Sequence, residues 1–369
     1  MKKNKTFLFS LIAVFIGILV GVVILIATGK NPLLLFVALI RSTTGYYIIN
    51  GTFSFRYIGE FFVSAIPLIL TGLSVGFAFR TGMFNIGAEG QVMVGSLAAT
   101  FVALCVPVPD GIKWLVCLIA AAVAGALWAA VPGILKAKFK IHEVVICIMM
   151  NYIALYFTNW AVETIDPMAI GVRRTADFSK GSTLMSDFLR GITGNSRLHW
   201  GIFIAIAGVI IYWLIIEKTT FGFNLRATGF NSEGAKYAGM KVNKNIVLSM
   251  MISGAFAGLA GACITQGVFG YGRVLAAMEN YGFDGIAVAL VGNSSAIGIL
   301  LSGLLFAMLQ NSQNTLQILG LTKDIVAIIM ATVVLAVAMK YGIEYVMNLI
   351  EKKNEREGKK PKLSKRRGE

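Results

Sequence analysis

Charge is what this chain has least of. Only 14% of its 369 residues are Asp, Glu, Lys or Arg, against 57% hydrophobic residues and a mean hydropathy of +0.76. A soluble domain carries roughly 25% charged residues to cover itself. Here lipid must solvate much of the surface, and no polar stretch is long enough to be a soluble enzymatic domain. Histidine and cysteine are scarce too: His142, His199, Cys105, Cys117, Cys147 and Cys263 are the full set. The cysteines all fall in apolar runs with no CxxC spacing, so they read as small buried side chains; neither a disulfide framework nor a metal site is expected. Catalytic signatures are missing as well. The two Gly-Lys pairs, Gly29-Lys30 and Gly358-Lys359, lack the upstream glycine of a phosphate loop, and there is no HExxH, no GxSxG and no paired aspartates. The expectation is a chain that is not an enzyme, holds no cofactor and cannot hydrolyse ATP by the usual route.

What is present is a series of apolar runs, most of them near the twenty or so residues needed to cross a bilayer and one, the eighth, short. They occur near 7–28, 61–79, 92–109, 114–135, 144–162, 200–216, 246–269, 283–292, 295–311 and 324–340. The first follows three lysines and is too long for a signal peptide core, so it reads as a retained helix. The fold expected is all-α and polytopic, with about ten transmembrane helices. Residues 1–342 form the transmembrane domain and 343–369 a basic tail. With both termini cytoplasmic, the inner segments 1–6, 80–91, 136–143, 217–245 and 340–369 hold 22 of the 33 basic residues, as the positive-inside rule favours. The net charge is +15, and ten of the basic residues lie in the tail beside the last span, which points to anionic lipid and not to nucleic acid.

Ten spans with both ends inside allow two halves of five, which would be inverted relative to one another. A weak internal echo accompanies this. Thr81-Gly82 precedes Phe84-Asn85-Ile86-Gly87, and Tyr281-Gly282 precedes Phe283-Asp284-Gly285. The first of these turns concentrates polar groups and glycines in an otherwise apolar hairpin. Asn85 is expected to cap the following helix, with Glu89 in its first turns. Two readings stand: a plain cytoplasmic turn, or a broken helix whose polar ends face a substrate path. A carboxylate near the bilayer centre costs about 2.5–3.5 kcal/mol, which favours the second. Asp284 poses the same question. Asn151, Asn159 and Gln266 read as interhelical hydrogen-bonding groups, and Gly254, Gly258 and Gly261 as a close-packing stripe. In the inner loop, Asn231 or Ser232 can cap a short helix with Glu233 in its first turn and Gly239 as its stop. Residues 232–238 therefore read as a two-turn helix that a partner groove could grip.

Four segments in order, 84–91 (FNIGAEGQ), 136–151 (KAKFKIHEVVICIMMN), the loop 221–241 and 283–292 (FDGIAVALVG), carry a family resemblance that spans about residues 55–342. The chain resembles the permease subunits of bacterial ABC importers in the ribose and branched-chain amino acid branch, and within it the nucleoside importers. The resemblance implies ten helices in two related halves in the cell membrane. It also implies a second permease subunit (a distinct paralogue), an ATP-binding subunit with nucleotide-binding domains and a substrate-binding lipoprotein outside. The short helix carrying Asn231, Ser232, Glu233, Gly234, Ala235 and Gly239 matches the position of the family's coupling helix. Phe84 with Asn85, and Phe283 with Asp284, offer a ring and a polar group each; with Glu89 and Asn151 they are the candidate substrate path. A nucleoside suits such groups, as would a simple sugar. An amino acid substrate, and ion-coupled transport through Glu89 and Asp284, are also open at this stage.

Overall fold

The computed structural model describes residues 2–339. The basic tail and the boundary expected after residue 342 lie outside the described residues. The apolar runs fold as helices because a bilayer leaves backbone N–H and C=O groups no water to bond. In chain order these are α1 Lys2–Ala27, α2 Leu33–Thr44, α3 Phe55–Arg80, α4 Ala88–Cys105, α5 Asp110–Phe139, α6 Glu143–Thr164, α7 Asp187–Ile192, α8 Gly201–Lys218, α9 Thr220–Phe230 and α10 Ser232–Tyr237. They are followed by α11 Val242–Ala262, which widens into a π-helical turn over Cys263–Phe269, then α12 Tyr281–Val291, α13 Ala296–Ile318 and α14 Asp324–Ala338. Among the described residues sheet is confined to two small hairpins, Tyr46–Tyr47 with Thr52–Phe53 and Ala169–Val172 with Arg174–Thr175. Among the described residues, seven helices are long and apolar enough to cross a bilayer: α3, α4, α5, α6, α8, α11 with its π extension, and α13. α2, α12 and α14 are shorter apolar helices. The chain is an all-α polytopic membrane protein.

Two helices organise the packing. α3 is buried continuously from Ala65 to Ala78, and α12 and α13 pack along it. α11 receives α4 and α5 in the same way, and α3 and α11 lie against each other. Small residues make these approaches possible. A Cβ at Gly258 would sit 2.1 Å from the Ala121 carbonyl oxygen, one at Gly254 2.3 Å from that of Gly125, and one at Gly261 2.1 Å from that of Val92. The glycine stripe on α11 is thus a backbone-to-backbone seam, as its spacing suggested. On the other side Gly72 and Gly76 of α3 receive Val288 and Ile299.

Two boundaries differ from the hydropathy reading. The third span begins at Ala88 and not near 92, because Glu89 and Gln91 are helical and buried with partners supplied from elsewhere in the chain. The ninth extends to Ile318, its polar end tied down where Asn311 Nδ2 donates to the Ser42 carbonyl at 2.9 Å. α2, in a stretch with no usable pattern, supplies that carbonyl. The loop 166–200 closes over the end of α11: Gln266 Nε2 donates to the Ser182 carbonyl at 2.7 Å, and Leu184 N–H donates to the Gln266 carbonyl at 3.0 Å. An ion pair between Arg197 and Glu60, 2.7 Å, fixes the same loop to α3.

Candidate functional site

The site is built where two helices begin. After α3 the chain reverses at Gly82, whose φ of +74° suits glycine and whose open Cα side lies on Gly229 of α9, 2.4 Å from where a Cβ would stand. α4 then starts at Ala88, with Gly87 as its N-cap and no side-chain cap. Asn85, expected to cap, turns inward instead. Its Nδ2 donates to Gln91 Oε1 at 2.8 Å and Ser253 Oγ at 2.7 Å, and its Oδ1 accepts from Gln91 Nε2 at 3.0 Å. Ser253 in turn donates to the Ser74 carbonyl at 2.7 Å. This buried amide pair joins α4 to the α3–α11 contact, and it leaves no amide hydrogen of Asn85 free.

Glu89 works across the molecule. Its carboxyl oxygens accept the N–H groups of Asn280, 2.8 Å, and Gly282, 2.6 Å. These belong to the opening turn of α12, whose first donors have no partner within the helix. Glu89 therefore caps a helix whose start lies 191 residues further along the chain. The fit requires glycine, since a Cβ at Gly282 would fall 2.2 Å from the Glu89 nitrogen. Asn151 of α6 braces the same point: its Oδ1 accepts from Gly90 N–H at 2.8 Å and its Nδ2 donates to the Ile86 carbonyl at 3.0 Å. Asp284, one turn into α12, accepts from Gln310 Nε2 at 2.6 Å. Phe84 stacks on Phe79, ring centroids 5.1 Å apart, and among the described residues no ring contact joins it to Phe283. The fold thus gathers Glu89, Asn151 and the start of α12 into one junction, and holds Asn85 and Asp284 in separate bonds beside it.

Beside this junction runs a narrow cleft between α4, α6 and residues 264–279, lined by Ser96, Thr100, Thr158, Thr265, Arg273 and Glu279 among others. None of the six residues nominated from sequence lines it. Arg273 and Glu279 form a two-bond ion pair, 2.7 Å at each contact, that spans the irregular segment before α12. Asn159 holds that segment at Leu275 by both backbone groups, 2.8 Å each. The opposite charges at 273 and 279, flanking a stretch without helical periodicity, were the available sequence signal.

The loop 217–245 forms two helices where one was expected. α10 has the anticipated caps: Asn231 Oδ1 accepts from Gly234 N–H at 2.9 Å, and Gly239 ends it at φ +79°. Glu233 lies in its first turn and Ala235 is its buried residue. Phe230 and Tyr237 flank it almost fully exposed, at 89% and 92%. The preceding α9 is anchored to the membrane part by Glu217, which pairs with Arg80 at 2.5 Å and Arg226 at 3.6 Å, and by the Gly82–Gly229 contact.

A family model described as branched-chain amino acid transport system / permease component matches residues 57–348. The chain belongs to this permease family. The permease is 43% identical over 356 residues to the guanosine ABC transporter permease protein NupP of Bacillus subtilis, covering 96% of this chain and 99% of that one. It is 35% identical to the nucleoside ABC transporter permease protein NupB of Lactococcus lactis, with 94% of each chain covered. It is 33% identical to the glucose ABC transporter permease protein TsgB13 of Haloferax volcanii, over 88% and 85%. The B. subtilis and L. lactis proteins each have a second matching permease in the same organism, NupQ and NupC. No solved structure matches the permease.

Proposed function

We propose that this chain is the membrane-spanning permease subunit of an ABC importer for nucleosides. It works beside a second, distinct permease, with energy from a separate ATP-binding subunit and substrate delivered outside by a lipoprotein. The observation that carries the reading is end-to-end similarity to NupP and NupB, both named for nucleoside or guanosine transport. The exposed rings of Phe230 and Tyr237 on α9–α10 support an ATPase docking surface, since aromatic residues with little else to pack on favour an interface. Two inverted halves, α1 with α3–α6 and α8 with α11–α14, are supported by the exchange of partners: α12 and α13 pack on α3, as α4 and α5 pack on α11. Cytoplasmic termini and a cytoplasmic α10 follow from the basic residues of the inner segments. In this arrangement the Glu89–α12 junction is the contact between halves that transport must loosen or turn, and Phe84, Asn85, Asn151, Phe283 and Asp284 surround it.

The test is uptake of labelled guanosine into proteoliposomes holding the permease with its partners. Uptake that requires ATP hydrolysis and is blocked by excess unlabelled inosine but not ribose supports the reading. The similarity to TsgB13 favours a sugar as the second reading, and blockade by ribose or glucose but not inosine would establish it.

A further inference from the structure

α6 presents two different polar faces. Asn151, buried on the bundle side, and Asn159, at the edge of the exposed side, each have the amide group paired with backbone. Away from the bundle it carries a stripe through Met149, Tyr152, Tyr156 and Trp160, positions that share one side of a helix. Tyr152 is 54% exposed, Tyr156 70% and Trp160 54%. Among the described residues neither tyrosine hydroxyl has a hydrogen-bond partner, and Glu163, also exposed, extends the stripe at the end of the helix.

Depth makes this informative. α6 has 22 residues, so it is about 33 Å long, and the two tyrosines lie roughly 14 and 20 Å from its start. That is near the middle of a helix about as long as the hydrocarbon is thick, whereas tyrosine and tryptophan facing lipid gather at the two interfaces. A hydroxyl facing hydrocarbon has nothing to bond and is costly there. No exposed tyrosine stands on α5 or α8. The exposed residues along the middle of α5 include Ile119, Val123 and Leu127, and those of α8 include Ile206, Ile210 and Ile211. A ring without a hydroxyl was also available, as Phe157 on α6 itself demonstrates.

We propose that this stripe of α6 faces the aqueous translocation path and that Tyr152 and Tyr156 form a subsite for the nucleobase. The proposal rests on the nucleoside-importer reading for its ligand and on hydroxyl placement alone for its water access. Tyr152 and Tyr156 stand one helical turn apart, about 6 Å of rise, with no ring contact between them among the described residues. A modest spreading of the side chains to about 7 Å therefore lets a planar base stack on both rings. The hydroxyls donate to ring nitrogens and carbonyl oxygens while the ring faces stack, and a puckered sugar would fill the same slot poorly.

Two measurements on the assembled transporter separate the parts. In the first, Tyr156→Cys and Tyr152→Cys are labelled in membranes with a charged, membrane-impermeant thiosulfonate, with wild-type labelling as background and Val123→Cys on α5 as the lipid-facing control. Cysteine reacts as thiolate, which forms in water and not in hydrocarbon, so both are expected to label at least about tenfold faster than position 123. Guanosine is expected to slow that labelling. Equal rates at 123, 152 and 156 would overturn the path assignment, as would loss of the second permease from the purified complex when the tyrosines are replaced. In the second, Tyr156→Leu is expected to lower guanosine uptake about tenfold and Tyr156→Phe by much less, as loss of a base stack compared with one hydroxyl. Fast labelling that guanosine does not slow, together with equal uptake by the Leu variant, would overturn the base subsite while leaving water access standing. A wild-type complex that takes up no guanosine at all would overturn the importer reading itself, whichever way the labelling falls.

Discussion

The turn before α4 and the turn before α12 look alike in sequence but do opposite work. Both place a Phe and a polar residue near the start of a helix deep in the bundle. At the first, Asn85 is folded into the amide pair with Gln91, and Glu89 reaches out to receive backbone donors from the second. At the second, Asp284 accepts from Gln310 of the adjacent α13, and the backbone of Asn280 and Gly282 does the bonding to Glu89. One turn gives a side chain and the other gives main chain. Related motifs can thus share a shape while dividing the bonding between them, and the junction has a single carboxyl group at its centre.

The largest effect that tests this division is expected from Gly282→Ala. Its Cβ would meet the α4 backbone, which has no rotamer to move, and a loss of at least about 3 kcal/mol is expected in detergent unfolding. Near-normal stability would mean the two helix starts are not in contact. Glu89→Gln comes next. It keeps one acceptor but turns an NH2 toward a backbone donor, for an expected loss of about 2–3 kcal/mol. Asn85→Ala, which strands Gln91 and Ser253 without their partner, is expected to cost about 2 kcal/mol. A double-mutant cycle with Ser253→Ala should return coupling, because the two groups are bonded directly. Asp284→Asn is the mildest, at about 1 kcal/mol or less, since the amide oxygen can still accept from Gln310. If Asp284→Asn proved more damaging than Glu89→Gln, the roles assigned to the two turns would be reversed.

Legibility in the sequence varies with the range of the interaction. Spans are legible because lipid imposes the same demand on every crossing helix, and α10 is legible because Asn231 and Gly239 are local caps. The start of α4 lies four residues before the hydropathy boundary. Glu89 and Gln91 look like turn residues until their partners are known, and those of Glu89 are backbone N–H groups at 280 and 282. Main-chain donors leave no trace in side-chain identity, so no pattern pairs Glu89 with Gly282. Asn85 differs from expectation for a related reason: a cap and a buried amide pair begin from the same residue type in the same place. α2 is hidden because a twelve-residue apolar helix fits neither a span nor an amphipathic surface helix. The tyrosine stripe carries no signal by itself, because its meaning depends on which face of α6 the bundle covers.

The energy source distinguishes this reading from ion-coupled transport most directly. Purified permease alone, in proteoliposomes under an imposed proton gradient, is expected to accumulate no labelled guanosine, while the same lipid with the second permease, the ATP-binding subunit and the substrate-binding lipoprotein does so only with hydrolysable ATP present. Accumulation by the permease alone, collapsing when the gradient is dissipated, would contradict it.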